Sequence, residues 1–174
     1  MIWFSADWHL GHGGILLHQS ARQFENIEEM DAQLLDGINA VVQPKDTLYF
    51  LGDFCWKASK AGHYRQRLNV KEMLVCRGNH DAASLVKYVS RMELMLFAKF
   101  GDDKFHLSHY PLLSWGALHY GGYHLYGHCH GTFEEQLNTW FPRRRAMDVG
   151  IDYIHKLTGA WRPISLDEIL ERLK

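Results

Sequence analysis

Cysteine is scarce in this sequence, and the few cysteines follow no recognisable pattern. Cys55, Cys76 and Cys129 are odd in number and fit neither a disulfide framework nor a zinc ribbon. That usage is typical of a reducing compartment. A basic leader, a long apolar segment at the start and an apolar run of membrane-spanning length are also missing. These absences argue against a signal peptide and a membrane span, and we expect a cytoplasmic protein without membrane contacts.

A surplus of charge of one sign is missing as well. Lys and Arg number 19 against 20 Asp and Glu, which gives a formal net charge of −1. A global basic field that could hold nucleic acid is therefore excluded. Anionic substrates are not excluded, because bound metal ions do not enter this count and can bind phosphate locally. Repeats, low-complexity tracts and linkers are also lacking, so we expect a single domain spanning residues 1–174.

Apolar patterning divides the chain into an alternating half and a strand-rich half. The first half predicts three strands and three helices, the first helix capped by Asn26: strands at 1–6, 47–51 and 72–76, helices at 27–42, 57–68 and 81–89. The second half predicts strands at 92–100, 104–109, 123–126 and 145–149, and a helix at 165–170 with a Ser165/Glu168 capping box. This order predicts an α/β fold, a four-layer α-β-β-α sandwich with two mixed sheets face to face.

Short polar motifs follow five of the predicted strands. In chain order they are Asp7-Trp8-His9, Gly52-Asp53, Gly78-Asn79-His80-Asp81, Ser108-His109 and Gly127-His128-Cys129-His130. Each offers oxygen or imidazole nitrogen ligands, and an open sheet gathers its ligands at the carboxyl ends of its strands. Together they predict a metal site at that edge. A two-metal cluster with carboxylate, amide and imidazole ligands is suited to cleaving phosphoesters.

Spacing within two motifs supports a shared site. Asp7 and His9 are two residues apart, so on an extended segment both side chains project to one side and Trp8 points into packing. The same argument applies to His128 and His130, with Cys129 directed away. Taken alone, each motif has a structural alternative, such as a capped turn at Asp7.

The Gly-Asn-His-Asp motif is more specific because it lies between a strand and a helix. Asn79 offers a neutral oxygen to a metal, and His80 could protonate a leaving oxygen or hold transition-state charge. In the structural alternative, Asn79 or Asp81 caps the helix and His80 is a solvated bystander.

Taken in order, the five motifs resemble the calcineurin-like metallophosphoesterases, and most closely the small stand-alone bacterial and phage members. Those members continue the first motif into a Gly-His pair and then an Arg-x-Phe, here Gly11-His12 and Arg22-Gln23-Phe24. The resemblance covers nearly the whole chain.

The resemblance implies two divalent cations, for which we expect manganese, with iron, zinc or nickel as alternatives. It gives His80 the role of acid or charge-stabilising residue beside the phosphate, and makes His12 and Arg22 phosphate contacts. The implied metal ligands are Asp7, His9 and His130 for one cation, Asn79, His109 and His128 for the other, and Asp53 as the bridge between both.

One position departs from the family pattern. Protein-phosphatase-like relatives carry a second Asp three residues after Gly-Asp, which partners the catalytic histidine. Here that position is Trp56, and no Asp-Arg-Gly follows. The departure argues against protein phosphatase and dinucleoside tetraphosphatase activity, and it leaves His80 without an assigned carboxylate partner.

We therefore expect a dinuclear phosphoesterase that hydrolyses phosphodiesters, and also phosphomonoesters, of small or nucleotide-like substrates by metal-bridged hydroxide attack on phosphorus. One alternative is a nuclease acting on polymeric nucleic acid, for which Arg143-Arg144-Arg145 is the sole hint. That triplet also suits a solvated strand face. A non-catalytic scaffold on the same fold is the other alternative, and the presence of His80 and every expected ligand argues against it. The lactamase-like hydrolases are discounted because their His-x-His-x-Asp-His motif is absent.

Overall fold

The computed structural model describes residues 1–173. The strands of that part are β1 (Ile2–Ser5), β2 (Thr47–Phe50), β3 (Glu72–Cys76), β4 (Arg91–Glu93), β5 (Met95–Phe100), β6 (Asp103–Ser108), β7 (Tyr123–Tyr126), β8 (Ala146–Asp148) and β9 (Ile164–Ser165). Its α-helices are α1 (Ile15–His18), α2 (Ile27–Val41), α3 (Ala61–Gln66), α4 (Glu134–Trp140), α5 (Ile151–Thr158) and α6 (Leu166–Leu173). Short 3-10 helices occupy Ala58–Lys60, Ala83–Tyr88 and Leu118–Tyr120.

The strands form two mixed sheets, as predicted. The five-stranded sheet has the order β4-β3-β2-β1-β9, in which β9 is antiparallel to β1 and the other neighbours are parallel. The four-stranded sheet has the order β5-β6-β7-β8, in which only β5 and β6 are antiparallel. Because β1, β2 and β3 run parallel, as do β6 and β7, the carboxyl ends of each set meet at one edge.

Alternating side chains along the strands build the layers. Phe4 of β1 and Leu125 of β7 belong to one apolar core that joins the inner faces of the two sheets. Leu48 of β2 points the other way and packs with Leu34 of α2 in a second core. On the outer face of the four-stranded sheet, Leu137 of α4 packs against a third cluster. The predicted four-layer sandwich with its two sheets face to face is confirmed.

Two predicted helix starts are confirmed. The Asn26 side chain accepts a hydrogen bond from the Glu29 amide at 2.8 Å, which caps α2. At α6, the Ser165 amide donates to the Glu168 carboxylate at 3.0 Å and the Glu168 amide donates back to the Ser165 hydroxyl at 3.3 Å. This reciprocal pair is the predicted capping box.

Other predicted elements differ from the structure. The predicted strand 92–100 is two strands in different sheets, because the chain crosses between the sheets at the exposed Leu94. The predicted helix 81–89 is a 3-10 helix, and the one at 57–68 is a 3-10 turn followed by the short α3. Helices α1, α4 and α5 were not predicted, and with four to eight residues they are too short to show a clear 3.6-residue period.

No helix among residues 1–173 combines the length and the apolar character needed to cross a membrane.

Gly37 marks a close approach of α2 to another segment of the chain. A Cβ atom built there would lie 2.0 Å from the carbonyl oxygen of Trp161. Since that oxygen belongs to the backbone, it cannot rotate away as a flexible side chain would. The glycine therefore lets α2 sit directly against the segment that follows α5.

We predict that Gly37→Ala destabilises the protein by about 1–3 kcal/mol, the usual cost of overpacking. In a helix without such a contact, the same change stabilises the protein by about 1 kcal/mol. The sign of the change in unfolding free energy therefore shows whether the contact with Trp161 exists. Urea unfolding followed by circular dichroism measures it. The matched control is Gly13→Ala, whose added Cβ meets no atom within 4 Å and should change stability by less than about 0.5 kcal/mol. A Gly37→Ala protein as stable as the parent would contradict the close approach.

Candidate metal centre

The predicted ligands lie just beyond the carboxyl ends of five strands. Asp7 follows β1, Asp53 follows β2, Asn79 follows β3, His109 follows β6 and His128 follows β7. Backbone hydrogen bonds hold these loops together: the Asp7 amide donates to Gly52 at 2.9 Å, and the Gly127 amide donates to His109 at 3.0 Å. Residues far apart in the sequence thereby converge at one edge of the sandwich.

The converging side chains form two groups. In each group the candidate ligand atoms lie within 4.8 Å of one another; one group is Asp7, His9 and His130, and the other is Asp53, His109 and His128. Oδ2 of Asp53 lies 3.6 Å from Nε2 of His9 and 3.4 Å from Nε2 of His109, so this carboxylate stands between the groups. Oδ1 of Asn79 lies 2.9 Å from Nε2 of His109. The structure thus brings together all seven residues predicted to hold metal.

Two histidines show that these atoms suit a cation. Nδ1 of His109 donates its proton to the carbonyl oxygen of Leu51 at 2.7 Å, so the neutral imidazole directs the lone pair of Nε2 at the oxygens of Asp53 and Asn79. Nε2 of His9 is buried and has no hydrogen-bond partner. Lone pairs that face one another without a shared proton are the donor set that a divalent cation satisfies.

Electrostatics point the same way. Burial raises the pKa of Asp7 well above its ordinary value, and the neighbouring carboxylates of Asp148 and Asp53 raise it further. Burial also lowers the pKa of His9 to about 3, which keeps its imidazole in the neutral, metal-binding form. For Asp53, burial acts to raise the pKa, but hydrogen bonding and charge from His109 outweigh it and bring the pKa to about 2. Buried carboxylates gathered at one point call for positive charge, which bound cations supply.

The backbone of the ligand residues is strained. Within residues 1–173, six residues other than glycine have positive φ, and five of them are candidate ligands. Those five are Asp7 at 60°, His9 at 51°, Asp53 at 62°, His128 at 69° and His130 at 49°. Such left-handed conformations are uncommon outside glycine and collect at functional sites.

The paired ligands come together by a different backbone conformation from the one predicted. Asp7 and His9 share a site, as do His128 and His130, but left-handed turns bring them together and not an extended strand. The intervening Trp8 is fully buried, with Nε1 donating to the Ser5 hydroxyl at 2.8 Å, as expected of a packing residue.

Two glycines give the ligands room. A Cβ on Gly78 would lie 2.2 Å from Oδ1 of Asp53, and one on Gly127 would lie 2.8 Å from Oδ2 of Asp7. Both carboxylates therefore occupy space that any larger residue at these two positions would fill.

Two buried carboxylates support the ligands and were not predicted to do so. Oδ2 of Asp152 accepts a hydrogen bond from Nδ1 of His130 at 2.6 Å, which leaves Nε2 of that imidazole free for a metal. Asp81 accepts from the amides of Asp53 and Gly78, each at 2.9 Å, so it ties two motif loops together. Asp152 was missed because it lies in the short α5, which the sequence pattern did not predict. The supporting role of Asp81 was missed because its position after the Gly-Asn-His motif also suits a helix cap.

Arg22 is placed differently from its prediction. Its side chain is buried beneath the site, where it donates to both oxygens of Asp152 at 2.7 and 2.8 Å and to the carbonyl oxygens of Asp7 and Trp8. A guanidinium committed to these acceptors has no face left for a phosphate. The predicted phosphate contact of Arg22 is therefore wrong, and the residue instead positions Asp152 and the first motif.

His80 and His12 lie together on one side of the centre. The exposed His80 ring is 5.3 Å from the His9 ring and 5.2 Å from the Trp56 ring. His12 stacks on Trp56 at 3.9 Å with an interplanar angle of 3°. Among residues 1–173, no carboxylate hydrogen-bonds to the His80 ring, so the position that carries an acid in protein phosphatases holds an aromatic wall here. A phosphate contact by His12 stays a prediction.

Comparison with known proteins agrees with this geometry. The model of the calcineurin-like phosphoesterase family matches residues 1–165. An uncharacterized protein of Methanocaldococcus jannaschii is 30% identical over 175 residues, covering 99% of this chain and 91% of the relative.

One solved structure shares the fold over the full length. A protein of unknown function from Aquifex aeolicus superposes with a TM-score of 0.79 at 22% identity, covering 99% of this chain and 98% of that one. The family match spans all five motifs and both sheets. The chain therefore belongs to the calcineurin-like phosphoesterase family.

Proposed function

We propose that this protein is a dinuclear metal-dependent phosphodiesterase that acts on small phosphoesters. Membership of the family supplies the phosphoesterase class. The dinuclear mechanism is supported chiefly by the position of the Asp53 carboxylate. Its Oδ2 atom lies 3.6 Å from Nε2 of His9 in one ligand group and 3.4 Å from Nε2 of His109 in the other. A carboxylate can bridge two cations through this placement.

The metal ligands and His80 would have different roles in hydrolysis. Two divalent cations, when bound, lower the pKa of a shared water and neutralise charge that develops on the phosphoryl oxygens. The seven ligands fix where the phosphate must lie. His80 stands beside that position, with its amide donating to Oδ1 of Asp53 at 2.9 Å and its ring exposed. This ring can donate a proton to the leaving oxygen.

The openness of the site favours diesters. Asn79, His80 and His128 are all exposed. A phosphate with two organic substituents therefore has space on both sides of the centre.

The three consecutive arginines do not support the alternative of a nuclease acting on polymeric nucleic acid. Arg144 donates to Asn138 and Glu134 of α4 and to Tyr126 of β7. Arg145 donates to the carbonyl oxygen of Gly121. Two of the three consecutive arginines are thus committed to internal acceptors, which favours a structural role over contact with a phosphate backbone.

Reconstitution with Mn²⁺, Fe²⁺, Zn²⁺ or Ni²⁺ followed by assays of bis-p-nitrophenyl phosphate and p-nitrophenyl phosphate tests the proposal. We expect turnover of both with at least one cation, a higher kcat/KM for the diester, and loss of activity on chelation, because the ligands supply the reactive centre. Inertness with every cation would refute the proposed function. Clear preference for the monoester would refute the diester assignment.

We predict that His80→Ala lowers kcat by about 10²–10⁴-fold, the range for loss of a general acid. Bound metal, measured by elemental analysis, should stay unchanged because His80 is not among the ligands. The exposed His119, in a 3-10 helix away from the centre, supplies the matched control His119→Ala, which should retain full activity. A His80→Ala protein as fast as the parent would remove the role assigned to that residue.

We predict that Arg22→Lys weakens metal binding about 10–100-fold, the usual effect of changing a group that orients a ligand. Lysine cannot reproduce the forked contact with Asp152, so His130 loses its fixed orientation. Competition with a chelator measures metal affinity, and steady-state kinetics measure KM at saturating metal. If Arg22 contacted phosphate after all, KM would rise while metal affinity stayed the same.

A further inference from the structure

An exposed apolar surface adjoins the candidate metal centre at His128. Two clefts of about 380 Å³ each adjoin there and share Leu112, Leu113 and Leu137. We call their combined surface the apolar groove, and its other main lining residues are Tyr110, Phe133 and Trp140. Leu113 is 72% exposed, Trp140 61% and Phe133 51%. Contiguous exposure of large apolar side chains is uncommon on soluble domains and marks binding surfaces.

The apolar groove begins at the metal centre. His128, one of the candidate ligands, lines its near end together with Tyr110. The two rings are 4.6 Å apart in an edge-to-face arrangement. An organic group attached to a phosphate at the centre could therefore enter the groove directly.

One wall of the groove is fixed from below by a buried histidine. Nδ1 of His124 donates to the carbonyl oxygen of His106 at 3.1 Å, and Nε2 accepts from the Leu112 amide at 3.1 Å. Burial lowers the pKa of His124 to about 4, which matches the neutral tautomer that these contacts require. The buried Trp115 adds a hydrogen bond from its indole to Gly122 at 2.9 Å.

The other wall is α4, which is anchored at its first residue. The Glu134 carboxylate accepts from Tyr126, from Arg144 at 2.9 Å and from the Asp148 amide at 3.1 Å. Both walls are thus held by buried polar contacts, and their apolar side chains face outward from rigid supports. A surface built this way is preorganised for a ligand, since little ordering is needed on binding.

We propose that the apolar groove binds the alkyl or aryl substituent of the phosphodiester substrate and so determines its specificity. This inference rests on the proposed function. Continuity with His128 favours a substrate group over a second copy of the chain, because a subunit seated on the groove would obstruct that side of the centre. The chemical class implied is a phosphodiester with a large apolar substituent. Simple alkylphosphonates are stable analogues of the phosphomonoester that its hydrolysis would leave.

Calorimetric binding of methyl-, butyl- and octylphosphonate to the manganese-loaded protein tests the inference. Each methylene that enters the groove should lower Kd by about fourfold, following the free energy of burying a CH₂ group. We expect octylphosphonate to bind at least about tenfold more tightly than methylphosphonate. Inhibition constants against bis-p-nitrophenyl phosphate should fall in the same order.

A double variant and a matched control distinguish binding in the apolar groove from nonspecific hydrophobic binding elsewhere on the surface. Leu113→Ser combined with Trp140→Ser should reduce the ratio of methyl to octyl Kd by at least about threefold. Phe97→Ser changes a side chain that is also 68% exposed but lies on β5, outside the groove, and should keep the parental ratio. Both substituted groove residues are exposed, so folding should be little affected.

Three results would overturn the inference. The first is an unsubstituted protein whose Kd does not depend on the alkyl chain length of the phosphonate. The second is a double variant that keeps the ratio of methyl to octyl Kd of the unsubstituted protein. The third is a dimer of the unsubstituted protein in sedimentation equilibrium that the double variant does not form, together with a Kd that does not depend on alkyl chain length. Absence of turnover with every cation would refute the proposed function alone, since the dependence of Kd on chain length still tests the groove.

Discussion

A carboxylate set between two groups of imidazoles is the constraint around which this end of the molecule is organised. Asp53 holds that place only because its backbone is fixed from behind. The buried Asp81 accepts from the amides of Asp53 and Gly78, and the Asp53 side chain accepts from the His80 amide. The loop after β2 and the loop after β3 are thereby locked to each other. The bridging position and the position of His80 are therefore set by the same few hydrogen bonds.

Holding these ligands costs the chain conformational energy. Left-handed backbone at five ligand residues, at about 1–3 kcal/mol for each strained position, is unfavourable in a free loop. Deep burial of Asp7 beside Asp148 adds electrostatic cost, visible in the raised pKa of Asp7. The two apolar cores, which pack both faces of the five-stranded sheet, offset that cost. Bound cations would return part of it by neutralising the buried carboxylates.

The sequence predicted those features that depend on local pattern and residue chemistry. The candidate ligands that the structure brings together were found through their motifs, and the α2 cap through Asn26, because each motif and the cap are written in a few consecutive residues. The support of His130 by Asp152 and Arg22 was missed, since it joins residues 130 positions apart. The break at Leu94 was missed because a continuous apolar run hides a crossing between sheets. Contacts between distant segments and short helices are fixed by packing and not by local pattern.

The surroundings of the centre differ on its two sides, and this bears on what the site can accept. On one side His80 packs against Trp56 and His12, where relatives of the protein phosphatase type carry an acid. No carboxylate hydrogen-bonds to the His80 ring in residues 1–173, so aromatic contacts set the orientation of that ring. On the other side Tyr110 leads away from His128 into apolar surface. A phosphate held between these sides would have its leaving oxygen toward His80 and its remaining substituent toward the apolar groove, an arrangement suited to a diester.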